Sequence, residues 1–307
     1  LDRAVAQVAH RSNLAKGVPA LATELAKQKP ARHEYYLALG EALVNSGKAR
    51  DAVPAFEQAL VRSPGSPIAM LDLADALTQS GQTARAVEVL NRAVKVAPNE
   101  PLLWYQFGIA QSSAAAFEKA VALDPGFADA WNLLGATRAE AGDMAGAQTA
   151  FRTALRCQPD LPEAQSNLAH LLVARGSLPE AEYYFARAVR LKPGDADTHL
   201  NYAVTLAGLG KADAAIEQAR AAVKSDAKSP ESHNFLGTLL ARSGQADPAL
   251  AEFLEAIRLR PAFGLAHLNA ADVLARRGAA AEARRHLREA ARDPDPGIRQ
   301  RALERLR

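Results

Sequence analysis

Residues 162–195 read PEAQSNLAHLLVARGSLPEAEYYFARAVRLKPGD, and this stretch contains one complete unit of a pattern that recurs along the chain. Its first half places leucines at the spacing of an amphipathic helix. Gly176 predicts the end of that helix, because glycine accepts the left-handed backbone conformation of a C-terminal cap. A second helix is predicted from about Pro179 to Leu191, since proline suits the first turn of a helix. The unit is therefore predicted to be a hairpin of two short antiparallel helices.

The pattern repeats with a period of 34 residues. Alanines mark it at Ala59, Ala93, Ala120, Ala154, Ala188, Ala222, Ala256 and Ala290. Glycines mark the predicted turns at Gly47, Gly81, Gly142, Gly176, Gly210, Gly244 and Gly278. Every interval between successive alanines of this series is 34 residues except one of 27, between Ala93 and Ala120. A fixed period of this length is typical of a solenoid, which offers a long groove rather than an enclosed pocket.

Composition narrows the class of protein. The chain has 307 residues, of which 49% are hydrophobic and only 6% aromatic, and its net charge is +3. This weak positive charge does not indicate nucleic-acid binding, and no apolar run is long enough to predict membrane insertion. A single cysteine, Cys157, excludes an intrachain disulfide and a cysteine-rich metal site. The chain begins at Leu1 rather than methionine, so its start does not indicate a compartment.

The unit at residues 128–161 holds every mark of the tetratricopeptide repeat, and the chain resembles that family. The marks are Trp131, Leu134, Gly135, Gly142, Ala147, Phe151, Ala154 and Pro159. The resemblance implies an all-α fold, a right-handed α-solenoid of about eight hairpins. Units are expected at 33–66, 67–100, 101–127, 128–161, 162–195, 196–229, 230–263 and 264–296. Residues 1–32 are expected to form a degenerate repeat or N-terminal cap, and residues 297–307 a C-terminal capping helix.

The unit at 101–127 is seven residues short and lacks its turn glycine. Two accounts fit this observation. One shortens each helix by about a turn and makes Ser112 and Ser113 the new turn. The other supposes that residues are missing between Gln111 and Phe117.

The sequence contains no catalytic constellation, and we expect neither enzymatic activity nor a bound cofactor or metal. Phosphate-binding, dinucleotide-binding and nucleophile-elbow motifs are absent. His199, His233 and His267 lie 34 residues apart, at the repeat position that holds Trp104 and Trp131 in other units. Equivalent positions on stacked hairpins are about 10 Å apart, too far to share one zinc ion. These histidines are therefore predicted to pack between helices.

The family resemblance implies that the first helix of each hairpin lines a concave groove. The expected groove residues are Leu37, Leu71, Tyr105, Asn132, Asn167, Asn201, Asn234 and Asn269. Those of the first three units are apolar or aromatic, and those of the later units are amides. Asn167, Asn201 and Asn269 share one repeat position, which resembles the asparagine ladder of O-linked N-acetylglucosamine transferase. A carboxamide can bind any peptide group, so this ladder predicts a grip on the main chain of an extended peptide. The alternative is that asparagine is simply common in this repeat.

The predicted function is a non-enzymatic scaffold that binds a protein or peptide partner in the concave groove. The groove has no lysine at the fifth position of any unit, so it does not match the repeats that bind acidic chaperone tails. One alternative is self-association end to end through the terminal helices. Another is an accessory region of a larger enzyme or multihaem cytochrome. The segment at residues 11–25 resembles the lead-in to repeat regions of some bacterial multihaem cytochromes.

Overall fold

The computed structural model describes residues 1–9 and 14–307, and their regular secondary structure is helical. Contacts divide the chain into two compact units, Leu1–Cys157 and Gln158–Arg307, called here the N-terminal and C-terminal units. The N-terminal unit contains α1 (Asp2–Ala9), α2 (Leu14–Gln28), α3 (Glu34–Asn45), α4 (Ala49–Arg62), α5 (Pro67–Gln79), α6 (Thr83–Val96), α7 (Pro101–Gln111), α8 (Ala114–Leu123), α9 (Ala128–Glu140) and α10 (Met144–Cys157). The C-terminal unit contains α11 (Pro162–Ala174), α12 (Leu178–Leu191), α13 (Ala196–Gly208), α14 (Ala212–Ser225), α15 (Pro230–Arg242), α16 (Ala246–Leu259), α17 (Gly264–Arg276), α18 (Ala280–Ala290) and α19 (Pro296–Leu306). No strand occurs in the described residues, and the predicted all-α class is confirmed.

From α3 to α18 the helices pair in order, each odd-numbered helix packing against the next one. We call the two members of a pair the first and the second helix of a hairpin. The turn between α11 and α12 contains Gly176 with a φ of 76°, as predicted from the sequence. A side chain at this φ would be strained, because the left-handed region brings Cβ too close to the carbonyl oxygen. The turn glycines therefore end the first helix of each full-length hairpin.

Within a hairpin, small residues let the two helices approach closely. A Cβ added to Gly135 of α9 would lie 2.6 Å from the ring of Phe151 on α10, and Gly237 and Phe253 stand in the same relation at 2.7 Å. In these two hairpins the ring on the second helix lies in the space that a side chain at the glycine would occupy. The predicted burial of the alanines on the second helices is also confirmed, since Ala154 is 0% exposed.

The seventh and eighth helices form the short hairpin. α7 has 11 residues and α8 has 10, whereas α9 and α10 have 13 and 14. The turn between α7 and α8 is also one residue shorter than the turn between α9 and α10. The two shorter helices and the shorter turn together account for the seven residues that this unit lacks. Ser112 takes the place of the turn glycine with a φ of 50°. Ser113 then caps α8, because its hydroxyl accepts a hydrogen bond from the backbone N–H of Ala116.

Two further segments lie outside the eight hairpins. α1 and α2 precede them, and residues 10–13, which include part of the cytochrome-like segment, lie outside the described residues. At the other end α19 packs Ile298, Ala302 and Leu306 against the apolar residues of α17 and α18. Its arginines are exposed, and Arg305 pairs with Asp272 of α17. This arrangement covers the apolar surface of the last hairpin.

Candidate functional site

The first helices of the hairpins leave one set of side chains uncovered by the second helices. We define the first-helix face as the side chains at the second, sixth and ninth positions of each repeat unit. These positions follow one another at i, i+4 and i+7, so they lie on one side of a helix. In the N-terminal unit three such residues are exposed apolar side chains: Ile68 on α5, and Leu102 and Ile109 on α7, which are 63%, 37% and 39% exposed.

The predicted apolar groove residues lie beside this face and are half-buried. Leu37 and Leu71 pack against the core of the N-terminal unit. Tyr105 stacks at a tilt on Phe127, with ring centroids 4.7 Å apart. Burial, followed by the nearby Asp129 carboxylate, raises the pKa of Tyr105 above its ordinary value. These three side chains therefore form the half-buried border of the first-helix face, and the exposed apolar surface is supplied by Ile68, Leu102 and Ile109.

An acidic pocket of about 200 Å³ opens beside the apolar residues. It is lined by Glu41, Val44 and Asn45 of α3, Phe56 of α4, and Asp72 and Asp75 of α5. The side chain of Gln79 donates a hydrogen bond to Asp75 at 2.7 Å. Asp72 is different, because its buried Oδ2 has no hydrogen-bond partner among the described residues. Burial, with the Glu41 and Asp75 carboxylates, raises the pKa of Asp72 to about 6.

The sequence-based prediction did not include this pocket. The predicted groove residues are amides, leucines and a tyrosine, and none of them is acidic. The signal was nevertheless present, since Glu41, Asp72 and Asp75 occupy the ninth, sixth and ninth positions of consecutive units. What the sequence could not show was that burial leaves one carboxylate oxygen of Asp72 without a donor.

The amides of the C-terminal unit are partly engaged within the chain. Asn269 donates to Asn234 Oδ1 at 2.9 Å and to the Thr238 hydroxyl at 3.4 Å, so both of its amide hydrogens have acceptors. Asn201 donates one amide hydrogen to the Asp197 carbonyl of its own helix at 2.9 Å. Asn234 is buried, at 7% exposed. The predicted groove amides thus include one pair of asparagines that bind each other.

The remaining two predicted amides differ in their burial. Asn132 of α9 is only 6% exposed, whereas Asn167 of α11 is half-buried. Asn132 therefore contributes to the packing of its hairpin more than to an open surface. Asn167, Asn201 and Asn269 share the ladder position, and all three are half-buried, so each retains some access to solvent.

The three histidines spaced 34 residues apart have a structural role, and the structure shows the hydrogen bonds that define it. Nε2 of His199, His233 and His267 lies 3.1, 3.2 and 3.0 Å from a backbone carbonyl six residues earlier. A carbonyl can only accept, so Nε2 carries the proton in each case. Side chains at the same repeat position make the same bond, namely Trp104, Trp131 and Gln165. The prediction that these histidines pack between helices is confirmed, and each ties the start of its helix to the preceding loop.

The described residues contain neither a metal-binding cluster nor a membrane-spanning helix. Among residues 1–9 and 14–307, no three His, Cys, Asp or Glu side chains are grouped so that they could hold a metal ion. In the same ranges no helix combines the length and apolar character needed to cross a membrane.

Comparison with known proteins identifies the repeats. A profile described as tetratricopeptide repeat matches residues 37–101, 105–162, 137–196 and 235–297, and a second profile of that description matches residues 172–239. No curated protein matches the chain.

Solved structures that are similar to this chain include the following three. MamA is 19% identical, with 56% of this chain and 95% of MamA covered and a TM-score of 0.50. A chain of the APC/C hetero-tetramer Cut9–Hcn1 is 18% identical, with 99% of this chain and 62% of that chain covered and a TM-score of 0.57. YrrB, described as a TPR protein with an unusual peptide-binding site, is 22% identical, with 70% and 96% covered and a TM-score of 0.45. At these identities the first two similarities show the helical-repeat fold alone.

Proposed function

The chain belongs to the tetratricopeptide repeat family, since the matched residues span more than half of it, and we propose that it is a non-enzymatic scaffold that binds an extended protein segment along its first-helix face. Its fold is one typical of protein–protein interaction. The observation that carries the proposal is the exposed apolar surface of Ile68, Leu102 and Ile109. Exposed apolar residues that recur on one face of neighbouring helices favour a binding surface, because burying them in a complex removes apolar area from water.

The C-terminal unit supports the same function by a different chemistry. Asn201 has a second amide hydrogen and a carboxamide oxygen for a partner, which suit the two polar groups of a peptide bond. Each such hydrogen bond adds about 0.5–1.5 kcal/mol net, so several are needed for useful affinity. In this proposal Asn167 and Asn201 contact the main chain of the bound segment, and Asn269 contributes through its oxygen.

The three histidines of the repeat series are engaged in structural contacts, which supports a non-enzymatic role for these residues. His199, His233 and His267 are 8%, 7% and 5% exposed and bind backbone carbonyls. A general base must reach a substrate proton directly or through one water. Buried imidazoles that hold loops in place do not meet this requirement.

Site-specific photo-crosslinking tests the proposal. A benzophenone amino acid placed at Ile109, on the first-helix face, is expected to capture a partner protein. The matched control places it at Val61 of α4, a second-helix residue that is 70% exposed. Equal capture at both positions, or none at Ile109, would reject the proposal. Growth of the particle with concentration in light scattering, without capture, would instead favour end-to-end assembly.

Calorimetric titration with the captured segment then tests individual contacts. Ile109→Ser should weaken binding because it removes an apolar contact. Asn201→Ala should weaken it by about 1 kcal/mol, close to one net hydrogen bond. The effect of Asn201→Ala should change little with salt, since a neutral amide carries no charge to screen.

A further inference from the structure

We propose that the acidic pocket between α3 and α5 binds a lysine or arginine side chain of the partner segment. This inference rests on the proposed function, because the cation arrives as part of a segment docked on the first-helix face of the N-terminal unit. Its apolar neighbours would lie on Ile68, Leu102 and Ile109. The proposal adds a chemical class to the partner: an extended segment that combines one basic residue with apolar residues.

The chain contains its own comparison for this pocket. A pocket of about 120 Å³ in the C-terminal unit is lined at the same repeat positions by Thr238, Phe253, Asn269 and Asp272. Asn269 stands where Asp72 stands, and it donates to Asn234 and Thr238. Asp272 stands where Asp75 stands, and it pairs with Arg305 of α19. Donors from the chain itself therefore satisfy the C-terminal pocket.

In the N-terminal pocket these donors are replaced. Asp72 is an acceptor where Asn269 is a donor, Leu37 replaces Asn234, and Glu41 replaces Thr238. The buried Oδ2 of Asp72 has no donor among the described residues, and Gln79 serves only Asp75. A buried acceptor without a donor is costly, and a neighbouring carboxylate adds repulsion. A cation from outside the chain, bound beside Asp72, would offset the repulsion among these carboxylates.

The geometry favours an organic cation over a metal ion. Glu41, Asp72 and Asp75 are not grouped so that they could coordinate a metal together. The lining of the pocket also includes the apolar side chains of Val44 and Phe56. Lysine and arginine have long apolar stems that pack on such surfaces while their charged ends bind carboxylates.

The spacing of the helices predicts the spacing of the motif. α3 contacts α5 and α5 contacts α7, so the three first helices are neighbours. Neighbouring helix axes are about 10 Å apart, which places Leu102 and Ile109 about 15 Å from a pocket that lies between α3 and α5. An extended chain covers about 3.3 Å per residue, so the basic and apolar residues should be about four or five positions apart.

Selection from a library of random peptides tests this inference with the full chain. Peptides selected on the parent protein are expected to contain lysine or arginine about four or five positions from a large apolar residue. A selected peptide that contains arginine and its citrulline counterpart, which has nearly the same shape without the charge, are then compared by fluorescence anisotropy. The protein variants are Glu41→Gln/Asp72→Asn for the pocket and Ile109→Ser for the apolar row. Asp51→Asn is the control, because it removes an exposed carboxylate from the second helix α4.

The expected result is about tenfold weaker binding both for the citrulline peptide and for the pocket variant, as loss of a charged hydrogen bond implies. Asp51→Asn should change affinity little. If Ile109→Ser weakens binding but the pocket variant and citrulline do not, this inference is wrong and the proposed function stands. If Ile109→Ser does not weaken the binding of selected peptides, or if no peptide is selected, both this inference and the proposed function are wrong. Selection of acidic peptides would also overturn the inference.

Discussion

The contact between Gly135 and Phe151 gives a sharp test of how the hairpins pack. In an exposed helix interior, replacing glycine by alanine stabilises a protein by about 1 kcal/mol. In α9, however, the new Cβ would lie 2.6 Å from two atoms of the Phe151 ring, whereas ordinary contacts begin near 3.4 Å. Phe151 is 2% exposed, so its ring is buried. Overpacking of this kind costs about 1–3 kcal/mol.

The two effects oppose each other, and the clash should be the larger. We expect Gly135→Ala to lower the free energy of unfolding by about 1 kcal/mol, measured by urea denaturation followed by circular dichroism. In a Phe151→Leu background the same replacement should become neutral or stabilising, because the ring is gone. That double variant recreates the pair Ala74 and Leu90, which the hairpin of α5 and α6 holds at the same repeat positions.

The chain also contains the pair that could refute this reasoning. Ala169 and Phe185 occupy the corresponding positions in the hairpin of α11 and α12, and both are 0% exposed. That hairpin therefore accommodates the ring and the methyl group together. If α9 and α10 can adjust in the same way, Gly135→Ala will stabilise the protein by about 1 kcal/mol, with no coupling to Phe151→Leu. This outcome would show that the close approach of the helices is a consequence of the glycine rather than a requirement of the core.

Three further predictions concern separate features. Ala188→Leu should destabilise the protein by about 1–3 kcal/mol through overpacking, and an unchanged denaturation midpoint would contradict its burial at 2% exposure. Ser112→Gly should raise the melting temperature, because glycine relieves the left-handed strain of Ser112. That strain costs about 1–2 kcal/mol, which exceeds the cost of about 0.5–1 kcal/mol from the extra backbone entropy of glycine. A lower melting temperature would show that the Ser112 conformation carries no strain. Asp72→Asn should stabilise the protein at pH 7.5 by about 1–3 kcal/mol, because folding raises the pKa of Asp72 from 3.8 to about 6 and so disfavours its ionised form. Lowering the pH through 6 toward 4 protonates Asp72 in the folded state and should shrink that gain, so a gain that stays constant from pH 7.5 to pH 4.5 would contradict the shift.

The sequence by itself determined the fold. Alanine, glycine and proline recur at intervals that match a helical hairpin, and each has a local reason that needs no knowledge of distant contacts. Gly176 ends a helix because of its own backbone freedom, and Pro162 begins one because the first turn does not need its N–H. The histidine series was also interpreted correctly, since residues at this repeat position make the same packing contact in six of the hairpins. Periodic sequences carry this information because each unit repeats the local environment of the last.

Only the tertiary structure decided which side chains remain available to a partner. Asn234 and Asn269 looked alike as amides of the predicted groove, yet they bind each other across two neighbouring helices. Asp72 was not among the predicted groove residues, yet packing buries one of its oxygens without a donor. Helical periodicity shows the face on which a side chain lies, but it does not show what the adjacent helix places opposite. Hydrogen bonding and desolvation are set by that opposing surface, so the binding chemistry of the groove depends on contacts between repeats rather than on the pattern within one.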